Sequence, residues 1–339
     1  MTVEVHTDSS ATLRALVRPY ARPVQGRALW QLANTLLPFA ALWLAAVLAF
    51  ESSRGWSLLL VLPLAGFYIR LFIIQHDCGH GSFLASARLN RLLGAALGLM
   101  TLFPFVYWRT THAIHHGTSG NLDRRGLGDI ETLTVREYRA RSRAGRLAYR
   151  LYRSTPVLLG VGPLYQFVVK HRIPFDLPLA YRREWASALW NDLALLVVGA
   201  ALCWAFDWRA VLAVQLSLVV LAGAAGVWMF YVQHQFERTY WACEGEWDAR
   251  SAAMAGSSFY DLPRVAHWFT GNIGYHHIHH LSSRVPNYRL RECFESDPRL
   301  QSAPRLTLRD SLRCARLKLW DEDGGRLVGF AALATGARA

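Results

Sequence analysis

"WSLLLVLPLAGFYIRLFIIQHDCGH", residues 56–80, carries an apolar run directly into a pair of histidines. Residues 56–75 contain one charged side chain, Arg70, and a run of about 20 residues is long enough to cross a bilayer as a helix. His76 and His80 follow at its end, and because residues four apart lie on one face of a helix, their imidazoles would stand together. The stretch predicts a membrane-spanning helix that presents metal-ligating groups where it leaves the bilayer.

Three further runs have the length and apolar character of membrane spans. With the first, they give spans at 28–50, 56–75, 188–206 and 210–233. Only residues 51–55 and 207–209 separate the members of each pair, which predicts two helical hairpins. The composition agrees, because 53% of the chain is hydrophobic and 18% is charged, against about 25% charged in soluble proteins.

The positive charge indicates an orientation. The net charge is +13, and residues 77–187 hold sixteen Lys or Arg, whereas each short linker holds one Arg. The positive-inside rule therefore places residues 77–187, both termini and the histidines on the cytoplasmic side. The arginines form no recognisable nucleic-acid-binding motif, so an anionic membrane surface is the expected partner rather than nucleic acid.

Histidines recur in three spaced groups. "THAIHHG" supplies His112, His115 and His116, and "GYHHIHH" supplies His276, His279 and His280 in the same H-x-x-H-H form. His234 lies at the end of the fourth span and makes a ninth. A tetrahedral zinc ion takes four ligands, so nine imidazoles predict two metal ions, and imidazole suits iron, copper, zinc or nickel. The isolated His6, His171 and His267 are predicted to be ordinary polar residues.

The pattern H-x-x-x-H, H-x-x-H-H, H-x-x-H-H with four spans resembles the membrane fatty acid desaturase superfamily, from His76 to the stretch at 317–330. "GDIETLTVREY", "YVQHQFE" and "NIGYHHIHHLSSRVPNY" are most similar to bacterial acyl-lipid desaturases of the omega-6 (Δ12) type. With the spans, the resemblance implies an all-α integral membrane protein, with four transmembrane helices in two hairpins and a cytoplasmic helical cap that holds a di-iron site. The predicted parts are a cytoplasmic segment 1–27, a membrane domain 28–300 and a cytoplasmic tail 301–339.

The resemblance also implies the roles of individual residues. Eight histidines would ligate two non-haem iron ions, with a ninth at the end of the fourth span: His76, His80, His112, His115, His116, His276, His279, His280 and His234. His277 falls on a variable position of its box and is expected to be a bystander. Asp77, Asp129 and Glu237 lie in or near the boxes and are candidates to accept the second N–H of a ligating imidazole, although each could be an ordinary helix-end or surface acid.

Two apolar stretches, 92–108 and 155–169, are broken by Gly and Pro. All histidine groups must meet on one side of the membrane, so an even number of crossings must separate them. Both stretches are therefore predicted to be interfacial or buried helices that help to cover a channel for an acyl chain.

The implied activity is the O2-dependent formation of a cis double bond, at Δ12, in an acyl chain of a membrane lipid. No H-P-G-G haem-binding stretch occurs, so electrons are expected from a separate ferredoxin with its reductase. The predicted location is the bacterial inner membrane, with the site on the cytoplasmic side. Two alternatives use the same metal site: a hydroxylase or ketolase acting on a lipid or carotenoid, and a non-enzymatic membrane metal-binding protein.

Overall fold

The computed structural model of the protein describes residues 10–52 and 56–333. His6 and residues 53–55 of the first predicted linker lie outside the described residues, as do residues 1–9 and 334–339 of the predicted terminal segments.

Four described helices are long and apolar enough to cross a membrane, as the sequence predicts. They are α2 (Gln25–Ser52), α3 (Val61–His80, preceded by a 3₁₀ turn at Trp56–Leu60), α9 (Arg182–Ala205) and α10 (Trp208–His234). Helices α2, α3 and α10 share one apolar core. Helix α9 keeps most of its apolar side chains outside that core, and Trp204 is 91% exposed, as expected of a lipid-facing surface.

The stretch at 92–108 is two helices rather than one. Helix α4 (Ala87–Met100) and helix α5 (Phe105–Thr118) meet at an angle of 103°. Gly81, at φ +66°, ends α3 immediately after His80, and Ser86 caps α4. The bent pair returns the chain to its starting point, because the rings of His80 and His112 lie 5.0 Å apart. This return agrees with the prediction that no single crossing separates the first two histidine groups.

The second broken stretch is a short helical segment, Val157–Lys170, in which wide π turns flank α8 (Gly162–Tyr165). It packs against α10, where a side chain on Gly223 would meet Pro163 and Phe167 within 3.0 Å. The remaining described α-helices are α1 (Ser10–Val17), α6 (Val135–Ala140), α7 (Arg143–Tyr152), α11 (Ala249–Met254), α12 (Arg264–Phe269), α13 (His276–Leu281), α14 (Asn287–Glu295) and α15 (Leu308–Cys314).

The fold is mostly helical, but all-α is not an accurate description. Strands β1 (Phe259–Asp261) and β2 (Arg305–Thr307) pair in parallel, and strands β3 (Leu319–Asp321) and β4 (Arg326–Val328) pair antiparallel. Strands of three residues carry too few positions for an alternating pattern to be visible in the sequence.

The described part of the C-terminal segment is built into the fold rather than extending from it as a separate tail. Trp320 N donates to Leu133 O at 3.0 Å, and Leu327 N donates to Glu237 O at 2.8 Å. Leu319 is fully buried in a small core with Leu133, Tyr138 and Tyr149. These contacts bridge elements that are distant in sequence, so the polar composition of the segment did not indicate them.

Candidate metal centre

Four helix ends deliver the histidines to one place. Helix α3 carries His76 and His80 in its last turns, α10 ends at His234, and the short helices α5 and α13 carry the two H-x-x-H-H groups. Spacings of three and four residues keep the side chains on one face of each helix. The four helices converge, and the nine imidazoles meet.

The nine ring systems divide into two groups. In each group the candidate ligand atoms lie within 4.8 Å of one another. The first group is His76, His80, His112, His116 and His279, and the second group is His115, His234, His276 and His280. Each H-x-x-H-H motif therefore serves both groups, because its two adjacent histidines point in different directions around the helix.

The distances between ring nitrogens fit shared metal ions. Nε2 of His234 lies 2.9 Å from Nε2 of His276, and Nε2 of His279 lies 3.0 Å from Nε2 of His116. Imidazole ligands bind at about 2.0–2.1 Å from a zinc ion, so nitrogens of this spacing can lie around one ion. Nε2 of His80 and Nε2 of His115 are buried without a hydrogen-bond partner among the described residues. A bound metal would use those lone pairs, so the residues fit the metal pair that the sequence predicts.

Protonation also favours metal binding. Burial, and then the neighbouring imidazoles, holds the pKa of five histidines outside the spanning helices well below 6.5: His112, His116, His276, His279 and His280. A neutral imidazole keeps a lone pair for a metal, whereas a protonated one does not. At neutral pH these five side chains are therefore ready to act as ligands.

Among the described residues, each histidine group has one carboxylate partner. Asp77 Oδ1 lies 3.1 Å from His76 Nδ1, and Asp129 Oδ1 lies 2.5 Å from His115 Nδ1. A carboxylate accepts only, so each Nδ1 carries the proton and each Nε2 is left for a metal. His234 is oriented similarly, since its Nδ1 lies 3.2 Å from the carbonyl oxygen of Gly256.

Four residues that the sequence analysis discussed lie outside both groups. Glu237 is not a partner of any described histidine: its side chain is 61% exposed, and its carboxylate lies 3.5 Å from Arg326. Glu237 is only three residues from His234, but α10 ends at His234 and the chain then turns away from the histidine groups. His277 is fully buried, and its Nε2 donates to Leu300 O at 2.8 Å. His171 and His267 also lie outside the groups.

The sequence reasoning missed Asn287, which donates to Asp77 from both its backbone and its side chain. Its position seven residues after His280 was the available signal, but spacing alone does not show which carboxylate it reaches.

An aromatic wall adjoins the first group. Trp108 stacks on His112 at 4.6 Å between ring centroids, and Phe72 packs against both Trp108 and Phe103. Apolar rings beside candidate metal ligands form a surface whose chemistry suits a hydrocarbon.

Comparison with known proteins agrees with this site. A sequence model of the fatty acid desaturase family matches residues 54–307. A Bacillus subtilis protein named fatty acid desaturase is 44% identical over 98% of this chain and 94% of its own length. A more distant relative, from Synechocystis, is named sn-1 acyl-lipid omega-3 desaturase (ferredoxin); it is 28% identical over 67% of this chain and 63% of its own length. Another, from Anabaena variabilis, is named sn-1 oleoyl-lipid 12-desaturase; it is 24% identical over 66% of this chain and 64% of its own length. The chain, with its four apolar helices and its two histidine groups, therefore belongs to the fatty acid desaturase family of oxidoreductases.

Proposed function

We propose that the protein introduces a cis double bond into an acyl chain of a membrane lipid, with two iron ions and O2. The observation that carries the proposal is the pair of histidine groups, each with its ligand atoms within 4.8 Å, where two helices that can cross a membrane, α3 and α10, end beside the shorter α5 and α13. The first group would hold one iron and the second group the other.

When bound, the iron pair supplies the chemistry by which O2 removes two hydrogens from neighbouring methylenes and, with two electrons and two protons from outside, is reduced to two waters. The protein's own contribution is position and environment. Asp77 and Asp129 each hold one imidazole in a single orientation, through hydrogen bonds to His76 and His115.

Binding of the hydrocarbon would depend on the aromatic wall formed by Phe72, Phe103 and Trp108. Trp108 lies between Phe72 and the ring of His112, so methylenes packed on the wall would lie beside the first group. The same rings would keep water away from the reacting carbons. Position along the acyl chain would follow from how far the chain can extend past this wall.

The substrate class and the electron donor rest on further support. Relatives are named as acyl-lipid and oleoyl-lipid desaturases, and one name includes ferredoxin. The apolar faces of the spanning helices would place the site beside lipid tails. We propose a ferredoxin with its reductase as donor, and a bacterial inner membrane location with the site on the cytoplasmic side, where residues 77–187 concentrate positive charge.

The names of relatives bear on the proposed position of the bond, Δ12. Distant relatives are named for the 12 position and for the omega-3 position at similar identities, and the 44% identical relative is named for neither. Product mapping is therefore the decisive measurement.

The test is expression in a host that makes oleoyl lipids, with a ferredoxin and its reductase, followed by mapping of double bonds in the total fatty acids. The matched control is His279→Ala, which removes a member of the first group. We expect a diene at Δ12 with the native chain and none with the variant. A new bond elsewhere would remove the Δ12 position alone. A hydroxy or keto product without a new double bond would replace desaturation by the alternative activity.

A further inference from the structure

We propose that Asn287 and Gln31 are positioning residues for the first histidine group, joined to His76 through Asp77. The inference deepens the proposed function, because it rests on that group being a metal site. It concerns four side chains, named here the relay: Gln31, Asn287, Asp77 and His76.

The first step is the geometry of Asp77. Adjacent residues on a helix point about 100° apart, so α3 by itself does not direct Asp77 toward the ring of His76. Asp77 Oδ1 nevertheless lies 3.1 Å from His76 Nδ1. Its other oxygen, Oδ2, accepts from Asn287 N at 2.6 Å and from Asn287 Nδ2 at 2.8 Å. Asn287 therefore holds the carboxylate from the side opposite to His76.

The second step is the backbone donor. Asn287 is the first residue of α14, and Pro286 precedes it. The N–H groups of a first helical turn have no partner inside their own helix, and they favour a negative group. The N–H of Asn287 uses Asp77 as that partner. Asp77 thus joins the start of α14 to the end of α3, across 210 residues of sequence.

The third step is the orientation of the Asn287 side-chain amide. Asp77 has only acceptors, so the NH2 of Asn287 must face it and Oδ1 must face away. Oδ1 accepts from Gln31 Nε2 at 2.8 Å. Gln31 lies on α2, and both Gln31 and Asn287 are buried, the latter completely. A membrane-spanning helix is therefore connected to His76 through three hydrogen bonds, each with only one possible direction.

The fourth step is the tight fit around Asn287. Gly271, at φ +53°, lies so close that a Cβ there would approach Asn287 Oδ1 to 3.0 Å and Ile73 to 2.7 Å. Asn272 Nδ2 also donates to the carbonyl of Asn287 at 3.4 Å. A side chain at position 271 would therefore press on the Asn287 amide, and glycine leaves the space that this amide occupies.

The second histidine group is held differently. Asp129 Oδ1 contacts His115, but Asp129 Oδ2 is buried without a hydrogen-bond partner among the described residues. Loss of the relay should therefore weaken metal binding in the first group and leave the second group unchanged.

The experiment is a titration of metal-free protein with Co²⁺ alone, followed by the absorption of bound cobalt, and in parallel the release of iron to a chelator. The variants are Asn287→Ala and Gln31→Leu. The control is Thr35→Val, one helical turn along α2, because buried Thr35 bonds to Gln31 O and to Arg70 but not to Asn287. All three changes remove one buried polar group.

For Asn287→Ala we expect one of two cobalt sites to weaken by about 10- to 100-fold, the range for outer partners of metal ligands. Gln31→Leu should have a smaller effect on the same site, and Thr35→Val should have none. Wild-type affinity at both sites in folded Asn287→Ala protein would overturn the proposal. Equal weakening of both sites, or no cobalt bound by the native chain, would also overturn it. Product analysis tests desaturation separately, so a failure there would not count as a failure of the relay.

Discussion

His277 and His279 stand two residues apart in α13 and have different surroundings. His279 Nε2 lies 3.0 Å from His116 Nε2 within the first group, whereas His277 Nε2 donates to Leu300 O. His277 therefore joins α13 to the chain that follows α14. Burial lowers the pKa of His277 to about 4, so its ring is neutral and suited to that hydrogen bond.

Substitution should separate the two roles. His279→Ala should lose metal from the first group and abolish activity. His277→Ala should keep both metals and most of its activity per folded molecule, while losing about 1–3 kcal/mol of stability from the broken buried hydrogen bond. Metal content and thermal unfolding in detergent check both statements. Loss of metal from His277→Ala without a drop in stability would contradict the assignment.

Lys318 is a buried amino group whose charge is costly to the stability of the folded protein. Its Nζ is buried without a hydrogen-bond partner among the described residues, 5.6 Å from the centre of the Tyr231 ring. Burial, and then the nearby Arg153 guanidinium, lowers the pKa of Lys318 from 10.5 to about 8. The folded protein thus binds this proton less readily than the unfolded chain.

The pH dependence has a definite sign. Between about pH 8 and 10.5 the unfolded chain holds more of this proton, so stability should rise with pH across that window. Lys318→Met should raise the unfolding temperature at pH 7 and remove this rise. Unfolding temperatures at pH 7 and pH 9 test both effects, and a lower temperature for the variant at pH 7 would show that the ammonium is stabilising.

At the scale of elements, the bend between α4 and α5 depends on close approaches at two glycines of α4, Gly94 and Gly98. A Cβ on Gly94 would lie 2.2 Å from the ring of Phe105, so the two helices can meet only where a residue lacks a side chain. Leu102, at φ 61°, forms the turn between them. The bend brings α5 back to α3 and so places the histidines of α5 beside His76 and His80.

Gly94→Ala should therefore destabilise the protein by about 1–3 kcal/mol, the usual cost of overpacking. Gly226→Ala on α10 is the matched control, since a Cβ there would meet nothing within 4 Å and alanine favours a helix. Phe105→Leu should restore part of the loss in the Gly94→Ala background. Thermal unfolding of Gly94→Ala, Gly226→Ala, Phe105→Leu and the Gly94→Ala/Phe105→Leu double variant measures this coupling. Equal effects of the two glycine substitutions would show that the approach to Phe105 is unimportant.

At the scale of the whole molecule, α10 separates two chemically distinct ends. Its 27 residues extend about 40 Å at 1.5 Å per residue, which exceeds the hydrocarbon thickness of a bilayer. Asp207 precedes its first residue, and His234 ends it in the second histidine group. Cys243 follows nine residues later and is exposed, whereas Cys78, Cys293 and Cys314 are buried.

A membrane-impermeant thiol reagent should therefore reach these two ends from opposite sides. Native Cys243 should react only when the cytoplasmic face is accessible. Asp207→Cys in a Cys243→Ser background should react in intact spheroplasts. Reaction of both positions from the same side would overturn the proposed orientation and the assignment of α10 as a span.

Local patterns in the sequence were sufficient to predict the four long apolar helices and the clustering of the nine histidines. Length and apolar composition predict α2, α3, α9 and α10, because a helix in lipid must satisfy its own backbone hydrogen bonds. Spacings of three and four residues predict the nine clustered histidines, because such spacing places side chains on one helical face. Both rules concern residues within a single helix, so they can be applied to the sequence without knowledge of the tertiary structure.

Contacts between distant segments decided how the histidines divide into two groups, which partners the carboxylates have and where the strands form. The division of His115 and His116 between two groups depends on which helices α5 faces. Glu237 is close to His234 in sequence but turns toward Arg326, while Asn287 reaches Asp77 across 210 residues. The strands of the C-terminal segment likewise form against partners far along the chain. Such contacts arise only when helices pack, because the periodicity of a helix does not determine its orientation against another helix.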